Sequence, residues 1–325
     1  MATTPQISVV VPVFNAAKYL KGCLDSVARA VAAVPAADRR LVEVIVCDNW
    51  STDGSREIAD AARFACVSRV IQPHEHESNR TRNWRAGFDV ATGTWTMMLH
   101  GDDLMAPTCL TGMLRGTKDP AARRAGLVIG RHRTFEDENR PSDLKPKWVV
   151  PSLIPGQRVA QEILPYHCPF VPFTLMRKEL YDEVGGLDEQ WQLVQDWELW
   201  MRMTSRADVL FVPSETGWWR IHDSGAGYKR LNARECVALA ANLEQSVGRL
   251  TTSRMSAVRA VALARAAVHL DSAGPPSDED PDLGRLPTPA QATATLQRMR
   301  RRIAAVQAAT RAAGVPRWLE ARVRG

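Results

Sequence analysis

Apolar residues in the first third of the chain fall into short, nearly continuous runs, separated by segments where they recur every three or four positions. Ile7-Ser8-Val9-Val10-Val11-Pro12-Val13 and Leu41-Val42-Glu43-Val44-Ile45-Val46-Cys47 are runs of the first kind, the pattern of strands covered on both faces. Val67 to Ile71 and Trp95 to Leu99 are shorter examples. Tyr19, Leu20, Cys23, Leu24, Val27, Val31 and Val34 recur at helical spacing, with Asn15 placed as a cap and Pro35 closing the helix. Asp48 to Ser55 is turn chemistry that leads into a helix from about Arg56 to Phe64, and a second helix from about Asn79 to Val90 follows the polar loop Gln72–Ser78. Such alternation predicts right-handed βαβ units and a mostly parallel α/β sheet flanked by helices. Further on, Phe173 to Met176 reads as a strand and Arg177 to Val184 as a helix. A helix covers Trp197 to Met203, and a strand runs through Trp218 and Trp219 to Arg220. After Leu231 the chain becomes Ala-rich and helical, with a break near Leu250-Thr251-Thr252, a linker over Asp271–Pro289, and an apolar stripe of Leu296, Met299, Ile303 and Val306.

The stretch Thr94 to Asp103 organises the chemistry. A buried strand runs into Gly101 and two adjacent acids, Asp102 and Asp103, and ligands of open α/β sheets bind beyond the carboxyl ends of the strands. Two carboxylates there form a hard oxygen site suited to Mg²⁺ or Mn²⁺ carrying a substrate phosphate. The same two acids could instead cap a helix beginning near Pro107, and the fragment alone does not choose. No G-x-G-x-x-G follows the first strand and no G-x-x-x-x-G-K-[ST] occurs, which disfavours a Rossmann dehydrogenase and a P-loop enzyme. His74-Glu75-His76-Glu77 looks like a metal cluster, but it follows Pro73 and reads as a solvated loop.

Composition adds limits. The chain of 325 residues can bury a large core, and its ten Trp are available as flat apolar walls. Six Cys lack ligand spacing and lie mainly in apolar runs, so free thiols in a reducing, cytoplasmic setting are expected. No apolar run is long enough to span a bilayer, and no signal-peptide pattern opens the chain. The net charge of +6 sits in the tail, where residues 291–325 hold eight Arg against one acid, Glu320. That segment resembles either a membrane-surface helix, giving peripheral membrane contact, or a helix docked on the body or on the second subunit of a homodimer. Aromatic residues do not interleave with these arginines until Trp318, so a nucleic-acid partner is not expected.

In order and spacing, Ile7–Asn15 (ISVVVPVFN), Val46–Ser55 (VCDNWSTDGS), Arg82-Asn83 with Gly87, and Leu99–Asp103 (LHGDD) resemble the family 2 inverting glycosyltransferases of GT-A fold. Val184–Glu189, Gln195–Trp200 and Trp219–His222 resemble that family's later segments, so the likeness covers about residues 6–225. It implies a GT-A type, Rossmann-like sheet, with a nucleotide-sugar-binding half over 1–104, an acceptor-binding half over 105–230 and a helical extension over 231–325. It also implies a metal-dependent transfer of a sugar from a nucleoside-diphosphate sugar, UDP-linked by preference, to an acceptor hydroxyl.

By resemblance, Asp48 meets the base, with Pro12 and Val13 lining it. Trp50 stacks or packs beside it, standing with Asn49 where the family usually has Asp-Gly. Arg82 faces the diphosphate, Asp103 ligates Mn²⁺ or Mg²⁺, and Asp102 contacts donor sugar or ribose or acts as a second ligand. His222 completes the metal shell or contacts the diphosphate, or is a core imidazole; Arg220 stands beside it. Asp196 is the implied general base, although its position at a helix start also suits a simple cap. Gln195 stands where a second acid is frequent, and His100 stands where the family usually has Asp; it is either a ligand or a packed ring. Asp223 to Lys229 reads as a mobile lid. The rival readings are a catalytically decayed scaffold, suggested by His100, Asn49 and Gln195, and a nucleotidyltransferase, which lacks its Gly-rich loop.

Overall fold

The computed structural model describes residues 4–136, 141–144, 152–162, 164, 173–222, 226–271, 287–288 and 290–298. In chain order the elements are β1 (Ile7–Val13), α1 (Ala17–Ala32), β2 (Val42–Asp48), α2 (Ser55–Ala61), β3 (Val67–Ile71), α3 (Arg80–Asp89), β4 (Trp95–Met98), β5 (Leu104–Met105), α4 (Cys109–Thr117), β6 (Ala125–Phe135) and β7 (Ser152–Ile154). There follow α5 (Gly156–Glu162), β8 (Leu175–Arg177), α6 (Lys178–Glu183), α7 (Gln195–Thr204), β9 (Asp208–Arg220), α8 (Ala226–Ala241), α9 (Leu243–Val247) and α10 (Thr252–Asp271). Residues 290–298 are also helical. The chain divides into two compact units, residues 1–155, 170–189 and 207–221, and residues 156–169, 190–206 and 222–325.

The first unit is built on one sheet in the order β3-β2-β1-β4-β8-β6-β9-β5, with β7 also paired to β9. β3, β2, β1 and β4 are mutually parallel, as the alternation of runs and periodic segments predicts. β8 then enters antiparallel to both β4 and β6. Every residue of β1 and β2 is buried, which explains why both read as nearly continuous apolar runs, broken only by Ser8, Glu43 and Asp48. Each fully buried Val or Ile in them contributes about 1.5–3 kcal/mol relative to exposure. Helix α3 packs closely on this centre because Gly87 lies over Val10; a Cβ there would stand 2.3 Å from the Val10 side chain.

The second unit is helical. Trp197 donates its indole N–H to the Leu164 carbonyl at 2.5 Å, and Arg265 of α10 lies over the Trp197 ring, 4.9 Å from its centroid. Buried Glu198 accepts from Arg202 and from Ser246. Ala264 and Ala267 of α10 pack with Ala292 and Leu296, so small residues let these helices approach closely and Leu296 of the apolar stripe is docked. Met299, Ile303, Val306 and most of the Arg-rich tail lie outside the described residues. So do Asp223 to Gly225 of the expected lid, whereas 226–230 open helix α8 rather than a loop. The break expected near Leu250 falls between α9 and α10. Five cysteines, 23, 47, 66, 109 and 236, are free thiols, and Cys168 lies outside the described residues. Among the described residues no helix is long and apolar enough to cross a membrane.

Candidate active site at the carboxyl ends of the central strands

The first cluster forms where β1 and β2 end side by side, with Val13 opposite Asp48. The Asn49 N–H donates to the Val13 carbonyl at 2.9 Å. Asp48 is fully buried and accepts from Gln72 Nε2 at 2.9 Å. Asn49 clamps the loop that follows β3: its Nδ2 donates to the Glu77 carbonyl and its Oδ1 accepts the Glu77 N–H, both at 2.8 Å. His76 of the same loop stacks on Phe14, with ring centroids 5.0 Å apart. His74, Glu75 and His76 of the loop are exposed, as the solvated-loop reading expects.

Trp50 adopts a left-handed backbone, φ 59°, a region that glycine enters freely and other residues at a cost. Its indole N–H donates to the Pro73 carbonyl at 3.0 Å, and 46% of the residue is exposed.

The start of α1 is held from across this turn. Asn15 does not cap it; Asn15 Oδ1 instead accepts from the Thr52 N–H at 2.9 Å. Ser55 Oγ accepts the Ala16 N–H at 2.8 Å and Asp53 Oδ2 the Ala17 N–H at 2.9 Å. The Ser55 hydroxyl and the Ala17 N–H hold the Asp53 carboxyl below the usual carboxylate range.

The second cluster is the acid turn after β4. The Leu99 N–H still pairs with the Val10 carbonyl, and the turn closes with Asp103 N–H donating to the His100 carbonyl at 3.1 Å. The chain then forms β5, antiparallel to β9 with Leu104 opposite Trp218. That register carries Arg220 alongside the acids. Its backbone N–H donates to Asp103 Oδ1 and its Nε to the Asp102 carbonyl, both at 2.8 Å. The buried guanidinium lies between the rings of Tyr19 and Phe135, 4.3 and 4.4 Å from their centroids. Helix α4 begins at Cys109 with Thr108 as its N-cap, so the acids do not cap it. Nor does space demand glycine at 101, where a Cβ would meet only ordinary contacts of 3.5 Å and beyond.

Asp103 is 1% exposed, and burial, with the Asp102 charge adding to it, raises its pKa well above the carboxylate range. Burial likewise lowers His100 to about 4, which keeps the imidazole neutral at pH 7. Among the described residues of the first unit, the buried side-chain polar atoms without a hydrogen-bond partner are His100 Nε2 and Asp103 Oδ2. One ligand atom each from His100, Asp102 and Asp103 lie within 4.8 Å of one another. An orphaned carboxylate oxygen and imidazole nitrogen in one acidic turn fit a small divalent cation.

Arg82 stands on the first turn of α3, whose N-cap Asn79 accepts the Thr81 and Arg82 N–H groups. Its Nε pairs with Glu189 Oε2 at 2.7 Å, and a second nitrogen lies 3.9 Å from Glu77. The guanidinium expected at a diphosphate is therefore held by two carboxylates. Asn79 Nδ2 donates to the Glu189 carbonyl and Arg85 to the Leu187 carbonyl, which docks the loop opened by Gly185 and Gly186 at φ 88° and 69°. Tyr19, Phe135, Gln72, Asn79 and Glu189 carry no signal for these contacts in the sequence, because each acts through a partner remote in the chain.

Gln195, Asp196 and His222 belong to the second unit. Helix α7 begins at Gln195 with Val194 at its N-cap, so Asp196 lies within the first turn and is not the cap. It is half-buried, and its Oδ1 accepts the Trp197 N–H at 2.7 Å. Gln195 is buried, and its Oε1 has no partner among the described residues. The residues just before the helix are gripped by Glu235 of α8, whose carboxylate accepts the N–H groups of Gln192, Leu193 and Val194 at 2.9, 2.7 and 3.1 Å. His222 is exposed just beyond β9.

A mostly parallel sheet with an acidic turn beyond its central strand is the architecture of a GT-A type protein. TarS of S. aureus, solved in complex with UDP-GlcNAc, superposes with a TM-score of 0.60 over 80% of this chain and 72% of its own, at 16% identity. The mannosyltransferase PcManGT from Pyrobaculum calidifontis, solved with GDP-Man and Mn²⁺, gives 0.55 over 96% and 80%, at 17% identity. The chain belongs to glycosyl transferase family 2, whose sequence pattern matches residues 8–185. A PGL/p-HBAD biosynthesis glycosyltransferase of Mycobacterium tuberculosis is 31% identical over 208 residues, 62% of this chain and 70% of the relative. The chain spans 66% and 41% of the length of two other curated relatives.

Proposed function

We propose that this chain transfers a glycosyl group from a nucleoside-diphosphate sugar, UDP-linked by preference, to an acceptor hydroxyl with inversion at C1. The observation that carries the reading is the acid turn, where buried Asp103 keeps one carboxylate oxygen fixed by Arg220 and the other without a hydrogen bond. A divalent cation, Mn²⁺ or Mg²⁺, supplies there the positive charge that offsets a departing diphosphate. Asp103 would hold it, with Asp102 as second ligand or sugar contact and His222 as a further candidate ligand.

The base sits against Pro12 and Val13 and donates its ring N–H to Asp48, which Gln72 already orients. Trp50 offers an exposed indole face beside it. Arg82 has to exchange Glu189 for phosphate, a change of partner that donor binding would drive. Asp196 takes the proton of the acceptor hydroxyl as that oxygen bonds to C1 and the C1–O bond to the diphosphate breaks, a general-base role worth typically about 10² to 10⁴-fold. The Gln195 amide leaves that carboxylate without a like-charged neighbour in sequence.

Thermal-shift titration with UDP and GDP, each with and without Mn²⁺, tests the reading. At a hundredfold excess over Kd, about 2.7 kcal/mol of stabilisation is expected for UDP with Mn²⁺. Hydrolysis of a UDP-sugar should then fall about 10²-fold or more in Asp196→Asn with nucleotide affinity unchanged. Absence of any metal-dependent nucleotide binding would favour a decayed scaffold.

A further inference from the structure

We propose that His100 is itself a ligand of the cation, which makes this centre a mixed imidazole–carboxylate site that discriminates against Mg²⁺. The proposal rests on the acid turn being the cation site of the function above, and it specifies which ion that turn selects.

Three observations carry it. The first is the orphaned Asp103 Oδ2 described above, because buried polar atoms are almost always partnered and a buried carboxylate oxygen left open calls for a partner that the protein itself does not supply. The second is a distance. His100 Nδ1 stands 3.6 Å from Asp103 Oδ2, too long for a hydrogen bond between them. Two atoms bound at about 2.1 Å to one ion stand roughly 3.0–3.5 Å apart at octahedral or tetrahedral angles, so that gap is close to what shared ligation needs. The third is orientation. The imidazole stacks on Trp84 of α3 at a centroid distance of 4.9 Å, and Trp84 is itself buried. The ring is held in one pose rather than left to swing into solvent.

The chemistry follows from the donor set. Mg²⁺ prefers an all-oxygen shell and bonds weakly to imidazole, whereas ions further along the first transition row accept nitrogen more readily. With a carboxylate at position 100 the turn would be an oxygen site open to Mg²⁺. With an imidazole, it favours Mn²⁺ over Mg²⁺, and Co²⁺ or Zn²⁺ over both.

The test uses the full chain with Mn²⁺ alone and with Mn²⁺ plus UDP. Electron spin-echo envelope modulation reads a directly bonded ¹⁴N without any turnover. The expected result is a ¹⁴N coupling in the unaltered protein that disappears in His100→Asp and His100→Asn while Mn²⁺ remains bound. In competition titrations, His100→Asp should shift the Mn²⁺/Mg²⁺ affinity ratio toward Mg²⁺ by about tenfold or more. Bound Mn²⁺ with no ¹⁴N coupling, or an unchanged affinity ratio in His100→Asp, makes His100 a packed ring and overturns the proposal while the transferase reading stands. Failure of Mn²⁺ to bind even with UDP overturns both. If neither variant folds by circular dichroism, the spectrum of the unaltered protein decides alone.

Discussion

Replacing Asp103 with Asn should make the metal-free protein more stable, the opposite of what a structural carboxylate would give. Asp103 is 1% exposed, with Oδ1 accepting the Arg220 N–H at 2.8 Å and Oδ2 without a hydrogen bond among the described residues. Burial and the neighbouring Asp102 charge both oppose its ionisation. Asparagine keeps the Oδ1 acceptor and the shape but removes the buried charge. The amide NH2 is no better partnered there than Oδ2, so what is relieved is the extra cost of an ionisable group over a neutral one, about 1–3 kcal/mol. For a unit of this size each kcal/mol moves Tm by about 2–4 °C, which predicts a rise of about 2–12 °C. Saturating Mn²⁺ should reverse the ranking, because the unaltered protein gains the binding free energy and Asp103→Asn does not. Differential scanning fluorimetry of both proteins, with EDTA and with Mn²⁺, reads all four values. A lower Tm for Asp103→Asn in EDTA, or an undiminished Mn²⁺ shift in the variant, would refute the view that this carboxylate is held in place for a cation.

Two further predictions concern carboxylates away from the acid turn. Glu43 is buried; burial opposes its ionisation, but the Ser8 hydroxyl, the Thr92 N–H and hydroxyl, and Arg69 outweigh that and hold its pKa below the usual value. Its folded pKa lies below the unfolded one, so its stabilisation is present above about pH 4.5 and fades as pH falls through the lower folded value. Glu43→Gln should therefore cost about 1–3 kcal/mol at pH 7, and the gap should narrow below about pH 4, as urea titrations across pH would show; a gap that widens in acid refutes the assignment. Glu235→Ala should strip the N–H groups of Gln192, Leu193 and Val194 of their acceptor, at a cost of about 2–4 kcal/mol. Hydrogen exchange at those three amides should quicken by at least tenfold relative to the rest of α7, and unchanged protection there would show that the grip is not made in solution.

The elements that the sequence makes plain are those whose signal is local. β1 and β2 are covered on both faces and so read as apolar runs, and the helices between them keep a 3.6-residue period. β6 is harder to read, because Arg131, His132 and Arg133 interrupt its apolar positions and its pairing with β9 shifts register three times. β5 has two residues, too few for any period, yet its register with β9 is what delivers Arg220 to Asp102 and Asp103. The acids themselves are legible as a motif; their clamp of Tyr19, Arg220 and Phe135 is non-local and leaves no trace in spacing. Arg82 is legible as a motif residue, but its pairing with Glu189 depends on the docking of a distant loop.

The departures from the family pattern at Asn49, Trp50 and His100 raise decay as a serious rival. A site released from function tends to accumulate substitutions that ignore their surroundings, whereas two of these three are specifically accommodated. Asn49 forms two hydrogen bonds that pin the Glu77 backbone. Trp50 bears the left-handed backbone of its turn and recovers a hydrogen bond to Pro73 in return. His100 differs: its carbonyl closes the acid turn and its ring is stacked, yet its buried Nε2 is left without a hydrogen bond in the same turn as an open carboxylate oxygen. Random loss would scatter such unsatisfied atoms through the first unit, but its described residues concentrate them in one turn at the carboxyl end of the central strand. That concentration is what a retained ligand site requires, and it argues that the substitutions retuned the site rather than dismantled it.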